Sequence, residues 1–280
     1  MKKIAILILV FNKLKETIEC INSFLPSNQA IYVLNNGSDE TIWRMIEENY
    51  RSNPNVTFFS SPINLGVSGG RNFLINNTEE PLLLMVDNDI TIRNPTTWYS
   101  HFQSIFSEEV AFDAYSLNIF NKHENCFSKP VNLVKIANKV SIETSEDLIT
   151  NSFPGGGSIV RREVFLERGL FDESLFVGFE DFEYALRSML SPQGQLKVLR
   201  INSIELIHDH RVQKTKADKE SVKVRYNENK IRNSYDSIVN KYHIEFDHSW
   251  EWWTKNQIAD MNGKSFARKI KEKVSTFFKS

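Results

Sequence analysis

Leu82-Leu83-Leu84-Met85-Val86-Asp87-Asn88-Asp89 is a continuous apolar run closed by two carboxylates one residue apart. An uninterrupted run of this kind suits a strand of a parallel sheet covered on both faces. Two acidic groups emerging together from a buried strand end would repel one another if left bare, and a divalent cation carrying anionic oxygen ligands is the usual reason to tolerate them. Upstream, residues 4–10, 30–34 and 56–59 read as three further strands. Between them Leu14, Ile18, Ile21 and Leu25 recur at helical spacing, and helices are expected over 41–49 and 71–76. The βαβαβαβ order implies a largely parallel sheet with right-handed crossovers. Ligands of such sheets bind at the carboxyl ends of the strands. Asn12, the turn at 35–39, the glycine-containing loop at 64–70 and Asp87-Asn88-Asp89 each follow a strand, so all four should face one crevice.

The chain has 280 residues, 25% of them charged, and a net charge of -1, an ordinary soluble composition that argues against a nucleic-acid surface made by bulk charge. Its two cysteines, Cys20 and Cys126, are far apart and indicate neither a disulfide framework nor a thiolate metal site, which fits a reducing cytoplasm. Lys2-Lys3 followed by the apolar run 4–10 imitates a signal peptide. The run is short, Asn12-Lys13 interrupts it and no small-residue cleavage site follows, so a first strand is the better reading.

Downstream, residues 110–140 read as loops and strands. Asn151-Ser-Phe-Pro-Gly-Gly-Gly-Ser-Ile-Val160 has glycines that permit a close backbone approach before a short helix at 161–168. A loop from Gly169 leads into a helix whose first turn, from Glu180, is acidic; strands at 196–199 and 204–207 follow, the second ending in His208-Asp209-His210. Taken alone, Asp87 and Asp89 admit three explanations: a cation site carrying a diphosphate, the nucleophile and acid of a phosphatase, or a solvated turn. The phosphatase reading has weight because Val86-Asp-Asn-Asp-Ile-Thr91 fits the Asp-x-Asp-x-Thr pattern of haloacid dehalogenase-like enzymes.

The surrounding motifs separate these readings. Val10-Phe11-Asn12, Asn35-Asn36-Gly37-Ser38, Asn64-Leu-Gly-Val-Ser-Gly-Gly-Arg-Asn72 and the strand to Asp87-Asn88-Asp89 come first; Gly155-Gly156-Gly157, Phe171-Asp172-Glu173 and Glu180-Asp181-Phe182-Glu183 with Arg187 come after. In this order they resemble the family 2 glycosyltransferases of the GT-A fold, from about residue 4 to 210. The phosphatase alternative would place its aspartate on the first strand, whereas here three strand-helix units precede Asp87. The resemblance implies an α/β, GT-A, Rossmann-like and mostly parallel central sheet flanked by helices. The domain would span 1–212, with a nucleotide-binding half at 1–92 and an acceptor-binding half at 93–212. A mainly helical extension would follow at 213–280.

The resemblance also implies a chemistry, the inverting transfer of a sugar from a nucleoside-diphosphate donor, expected to be UDP-linked, to a hydroxyl of a saccharide or lipid-linked acceptor in surface glycan biosynthesis. The departing diphosphate needs a metal and cationic or amide donors. Asp89 is the expected direct ligand of Mn2+ or Mg2+, Asp87 assists through the metal or a ribose hydroxyl, and His208 is the third ligand, with His210 two residues on as its competitor. Phe11, Asn12, Asn35 and Asn88 belong to the donor side, and Arg71 offers a fixed cationic fork near the diphosphate or base. Relatives carry an aspartate at the Asn35 position that pairs with uracil; asparagine can still accept that bond, without charge. Asp181 is the expected base for the acceptor hydroxyl, with Glu180, Gly156, Gly157 and Asp172 contacting the acceptor. An aspartate near its ordinary pKa of about 3.9 would be a weak base, sufficient if proton transfer is late. A non-catalytic nucleotide-sugar-binding subunit is the remaining rival, and the intact Glu180-Asp181 pair argues against it. In the tail, Phe266, Ile270, Val274, Phe277 and Phe278 share a helical face opposite Arg268, Lys269, Lys271 and Lys273. Residues 264–279 therefore read as a helix lying on a membrane surface or packed on the domain, with Trp250, Trp252 and Trp253 at the interface or closing the core. A cytoplasmic enzyme at the inner face of the plasma membrane is expected.

Overall fold

The computed structural model describes residues 3–106, 112–209, 215–249 and 251. His210, the tryptophans at 250, 252 and 253 and the basic segment 264–279 lie outside the described residues.

The first half follows the expected alternation: β1 (Ile4–Val10), α1 (Leu14–Phe24), β2 (Ala30–Asn36), α2 (Glu40–Tyr50), β3 (Val56–Ser61), α3 (Gly66–Asn76) and β4 (Leu82–Asp87). The two-sided burial read from the apolar runs is realised residue by residue. Ile4, Ile6, Ile8 and Val10 pack with Cys20, Ile21 and Phe24 of α1 and with Trp43 and Ile46 of α2. Ala5 and Leu7 point the other way, to Leu74 and Ile75 of α3. In β4, Leu82, Leu84 and Val86 take the first face and Leu83 and Met85 the second. Each such aliphatic side chain contributes roughly 1.5–3 kcal/mol by leaving water.

The second half adds β5 (Ile90–Ile92), α4 (Trp98–Ile105), β6 (Ala114–Asn121), β7 (Cys126–Phe127), β8 (Val131–Ile136), β9 (Lys139–Thr144), β10 (Ile149–Thr150), β11 (Ser158–Arg161), α5 (Arg162–Arg168), α6 (Glu180–Leu190) and β12 (Val198–His208). Then come α7 (Lys216–Arg225), α8 (Glu228–Tyr242) and β13 (Glu245–Phe246). The main sheet runs β10-β12-β6-β11-β4-β1-β2-β3, with β5 on β12 and β7 on β6; β13, β9 and β8 form a small second sheet. β3, β2, β1 and β4 are mutually parallel, as are β12 and β6, while β11 lies antiparallel between β4 and β6. Ile231, Ile238 and Ile244 of the C-terminal segment share the core of Leu7 and Leu83. Among the described residues no helix is long and apolar enough to cross a membrane.

Two elements differ from the sequence expectation. The segment 64–70 is not all loop, because α3 already starts at Gly66 and Arg71 sits inside it. Its glycines serve close packing: a Cβ on Gly70 would stand 2.4 Å from Leu9 Cδ1, so the bare position lets α3 lie against β1. The two short strands at 196–199 and 204–207 are one strand, β12, whose register on β6 shifts between Ile201 and Glu205. That strand also pairs antiparallel with β5, matching His208 to Ile90. A histidine more than a hundred positions away in sequence is thereby delivered to the turn that carries Asp89.

Leu84 is wholly buried at the centre of β4. Replacing it with alanine is expected to lower the unfolding free energy by roughly 2–5 kcal/mol in urea titration; a loss under about 1 kcal/mol would show that β4 is not the spine of the core.

Candidate active site

A cavity of about 520 Å³ opens at the carboxyl ends of β1 and β4. Phe11, Lys13, Arg71 and the Asp87-Asn88-Asp89 turn line it from the first half, Glu180 and Asp181 from α6, and Val222 and Arg225 from α7. Its position is the one expected of an open α/β sheet.

One corner gathers metal-ligating chemistry. Ligand atoms of Asp87, Asp89 and His208 lie within 4.8 Å of one another. Asp89 Oδ1 is buried without a hydrogen bond, and His208 Nε2 stands 3.3 Å from it. The other oxygen, Oδ2, accepts a 2.6 Å bond from Lys13 Nζ. Lys13 reaches it because Asn12 and Lys13 both take left-handed backbone conformations, φ 59° and 57°, which turn the chain sharply between β1 and α1. Burial opposes ionisation of Asp89, but the Lys13 ammonium, and after it His208, hold its carboxyl well below the usual carboxylate range. Two carboxylates and an imidazole gathered around the buried Asp89 oxygen fit a hard divalent cation such as Mn2+ or Mg2+.

Arg71 organises the middle of the cavity. Its guanidinium donates 3.2 Å to Asp87 Oδ1 and 3.1 Å to Glu180 Oε1, with the side chain 6% exposed. The glycine segment makes room for this group. A Cβ on Gly155 would meet Arg71 Nη1 at 2.1 Å, and one on Gly156 would meet the Asp87 carboxyl at 3.0 Å. Gly157, at φ +112°, packs its backbone against Ile119 and Leu206.

Asp181 opens α6 after Gly178 and Phe179, both at positive φ. It is partly exposed to the crevice, yet the surrounding protein desolvates it. Desolvation and the neighbouring Glu180 push its pKa up to about 7, against the pull of Arg71 and backbone bonds from Phe182 and Gly155. The sequence expectation of an ordinary, weak aspartate base is therefore corrected upward. The helix itself is held from behind, where the fully buried Glu183 pairs with Lys241 of α8 at 3.1 Å.

The remaining sequence candidates divide. Phe11 lines the cavity. Asn12 Oδ1 accepts from Asp39 N at 2.9 Å and its Nδ2 donates to Ala217 O at 3.4 Å. Asn35 Oδ1 accepts from Ser38 N at 2.8 Å and its Nδ2 donates to Ser60 Oγ at 3.0 Å. Asn88 Nδ2 donates to Asn12 O at 3.1 Å and Thr17 Oγ1 at 2.8 Å. These three amides clamp the strand-end loops to one another, and only Asn88 also lines the cavity. Asp172 is turned to Lys241, 2.7 Å away, and to Ser174, and does not line the cavity. Lys13 and Arg225 are cavity residues that sequence reasoning passed over. Lys13 is adjacent to the Asn12 motif, a signal within reach; Arg225 lies in a charged stretch whose spacing carries none.

With this geometry in place, the chain belongs to glycosyl transferase family 2, whose model matches residues 5–169. An uncharacterized protein of Haemophilus influenzae is 25% identical over 173 residues, covering 59% of this chain and 91% of its own length. Among solved structures, S. aureus TarS 1-349 in complex with UDP-GlcNAc superposes with a TM-score of 0.57 at 17% identity over 95% of this chain and 73% of that one. Mannosyltransferase PcManGT from Pyrobaculum calidifontis, in complex with GDP-Man and Mn2+, gives 0.57 at 12% identity, over 85% of this chain and 64% of its own. S. aureus TarS gives 0.56 at 18% identity over 94% of this chain and 43% of that chain, so this chain spans less than half of it. At these identities the likeness is one of fold, and the fold is GT-A. The family match ends before α6, His208 and α7.

In the unliganded protein, Asp181 has a folded pKa above its unfolded value, so its contribution to stability is fully present below about pH 4 and is lost as pH rises through about 7. Asp181→Asn should therefore gain on the wild type progressively between pH 4 and 8 in paired denaturation curves. Curves offset by a constant amount across that range would contradict the assignment.

Proposed function

We propose that this chain is a metal-assisted, inverting glycosyltransferase that moves a sugar from a nucleoside-diphosphate donor, UDP-linked in this reading, to a hydroxyl of a saccharide or lipid-linked acceptor in surface glycan assembly. The observation that carries the proposal is one cavity lined both by Asp87 and Asp89, which cluster with His208, and by Asp181, whose raised pKa suits a proton acceptor. Family membership and the folds of transferases crystallised with UDP-GlcNAc or GDP-Man support it.

Asp89, Asp87 and His208 would hold Mn2+ or Mg2+, which when bound supplies positive charge to the departing diphosphate. The chain's own residues do the rest. Lys13 sits against Asp89 and keeps that carboxyl ionised and fixed. Phe11 offers its ring at the end of β1 on the donor side. Arg71 is committed to Asp87 and Glu180, so its part is to fix donor-side and acceptor-side carboxylates relative to each other and not to bind phosphate. In the transfer the acceptor oxygen attacks the anomeric carbon, the bond from that carbon to the diphosphate oxygen breaks with its electron pair, and the acceptor proton passes to Asp181. A base with a pKa near 7 is well matched to this task at neutral pH. A single displacement of this kind inverts the anomeric centre. The enzyme would act on the cytoplasmic side of the membrane, where nucleotide sugars meet lipid-linked acceptors.

UDP with Mn2+ is expected to raise the melting temperature of the wild type, with Asp89→Asn losing the metal-dependent share of that shift. Asp181→Asn should lower turnover by about 10²–10⁴-fold while keeping donor affinity. Stabilisation by GDP and not UDP would overturn the donor; equal loss of turnover and affinity would remove Asp181 from the base role.

A further inference from the structure

The segment beyond the family match contributes a cation to the donor site. α7 is secured at its start: Thr215 and Asp218 form a reciprocal capping box, Ala217 O accepts from Asn12 Nδ2, and Ser221 Oγ donates to Phe11 O at 2.9 Å. Both anchors are residues at the carboxyl end of β1. The helix is thereby fixed over the nucleotide side of the cavity, and its last turn brings Val222, Val224 and Arg225 to the lining.

Arg225 and Arg71 both address Asp87, in different ways. Arg71 is 6% exposed and makes two hydrogen bonds, to Asp87 and Glu180. The Arg225 side chain is 39% exposed, and its Nη1 stands 3.6 Å from Asp87 Oδ2, an ion pair too long for a good hydrogen bond. Arg71 is a fixed part of the scaffold. Arg225 is a guanidinium presented to the cavity beside the carboxylates that would hold the metal, with a planar fork suited to two phosphate oxygens.

We propose that Arg225 binds the diphosphate of the donor and stabilises the negative charge that the diphosphate gains as the glycosidic bond breaks. The inference rests on the nucleoside-diphosphate reading of the donor given above. The sequence expectation placed Arg71 near the diphosphate or base; here Arg225 takes the phosphate contact, and α7 becomes part of the donor site. Asp87 then has a second function, holding the Arg225 guanidinium at the diphosphate position before the donor arrives.

Calorimetric titration of UDP and of UMP, both in saturating Mn2+, tests this on the wild type, Arg225→Gln and Arg225→Lys. The expected result is a loss of about 10- to 100-fold in UDP affinity for Arg225→Gln, with a much smaller loss for UMP, and partial recovery in Arg225→Lys. Unliganded melting temperatures matching the wild type would confirm that both variants fold. UDP affinity unchanged in Arg225→Gln overturns the contact, and equal losses for UDP and UMP would show that Arg225 only keeps α7 in place. A wild type that binds UMP and UDP equally excludes a diphosphate contact while leaving a nucleotide site. A wild type that binds no nucleotide removes the donor reading itself and this inference with it.

Discussion

The buried guanidinium of Arg71 joins the two halves of the site, and the elements around it are arranged to keep it paired. It takes one carboxylate from the end of β4 and one from the start of α6. A buried arginine deprived of both partners would be left as an uncompensated charge, the situation that costs about 3–5 kcal/mol when a buried ion pair is broken. The bare Cα of Gly155 gives it space, and α3, which carries it, fits tightly on β1 through Gly70. Asp87 and Glu180 are therefore set by one buried group. In the transfer proposed above, a displacement between the two substrates would be costly for rate, because the attacking oxygen and the anomeric carbon must be in near contact.

Around that tie, the environment gives chemically identical residues opposite characters. Asp89 is buried, but Lys13 and His208 keep it ionised as a metal ligand should be. Asp181 is desolvated beside Glu180, and its affinity for a proton rises into the neutral range. Two carboxylates pushed apart in this way suit the separate electrostatic and proton-transfer roles proposed above. Cations are divided as sharply. Arg71 and Lys13 are buried and make short bonds to carboxylates, whereas the more exposed Arg225 stands 3.6 Å from Asp87.

The strands were legible because burial on both faces leaves an uninterrupted apolar run, as at 4–10 and 82–86. The crevice followed from the rule that loops after parallel strands share one edge. His208 was legible through motif order; its physical delivery depends on the antiparallel pairing of β12 with β5, which no local pattern encodes. Glycines misled at 66–70, since composition does not distinguish a turn from a helix that must lie close to a strand. The amides of Asn12, Asn35 and Asn88 have a structural role that the sequence did not show. An asparagine at a strand end serves a ligand or the backbone equally well, and here the backbone partners are within hydrogen-bond distance. Arg71 was legible as a cation of the site but not as one already paired. Arg225 was not legible, because its place depends on how α7 docks on Phe11 and Asn12.

In the proposed enzyme, donor diphosphate and metal meet at the ends of β4 and β12, in front of Asp181. A crystal structure with UDP and Mn2+, with the metal located by its anomalous signal, addresses it most directly. The expected result is a manganese peak bonded to Asp89, with Asp87 and His208 beside it, diphosphate oxygens on the metal, and Asp181 facing the open side of the cavity. A peak away from this cluster, or a nucleotide bound outside the cavity between Arg71 and α7, would contradict it.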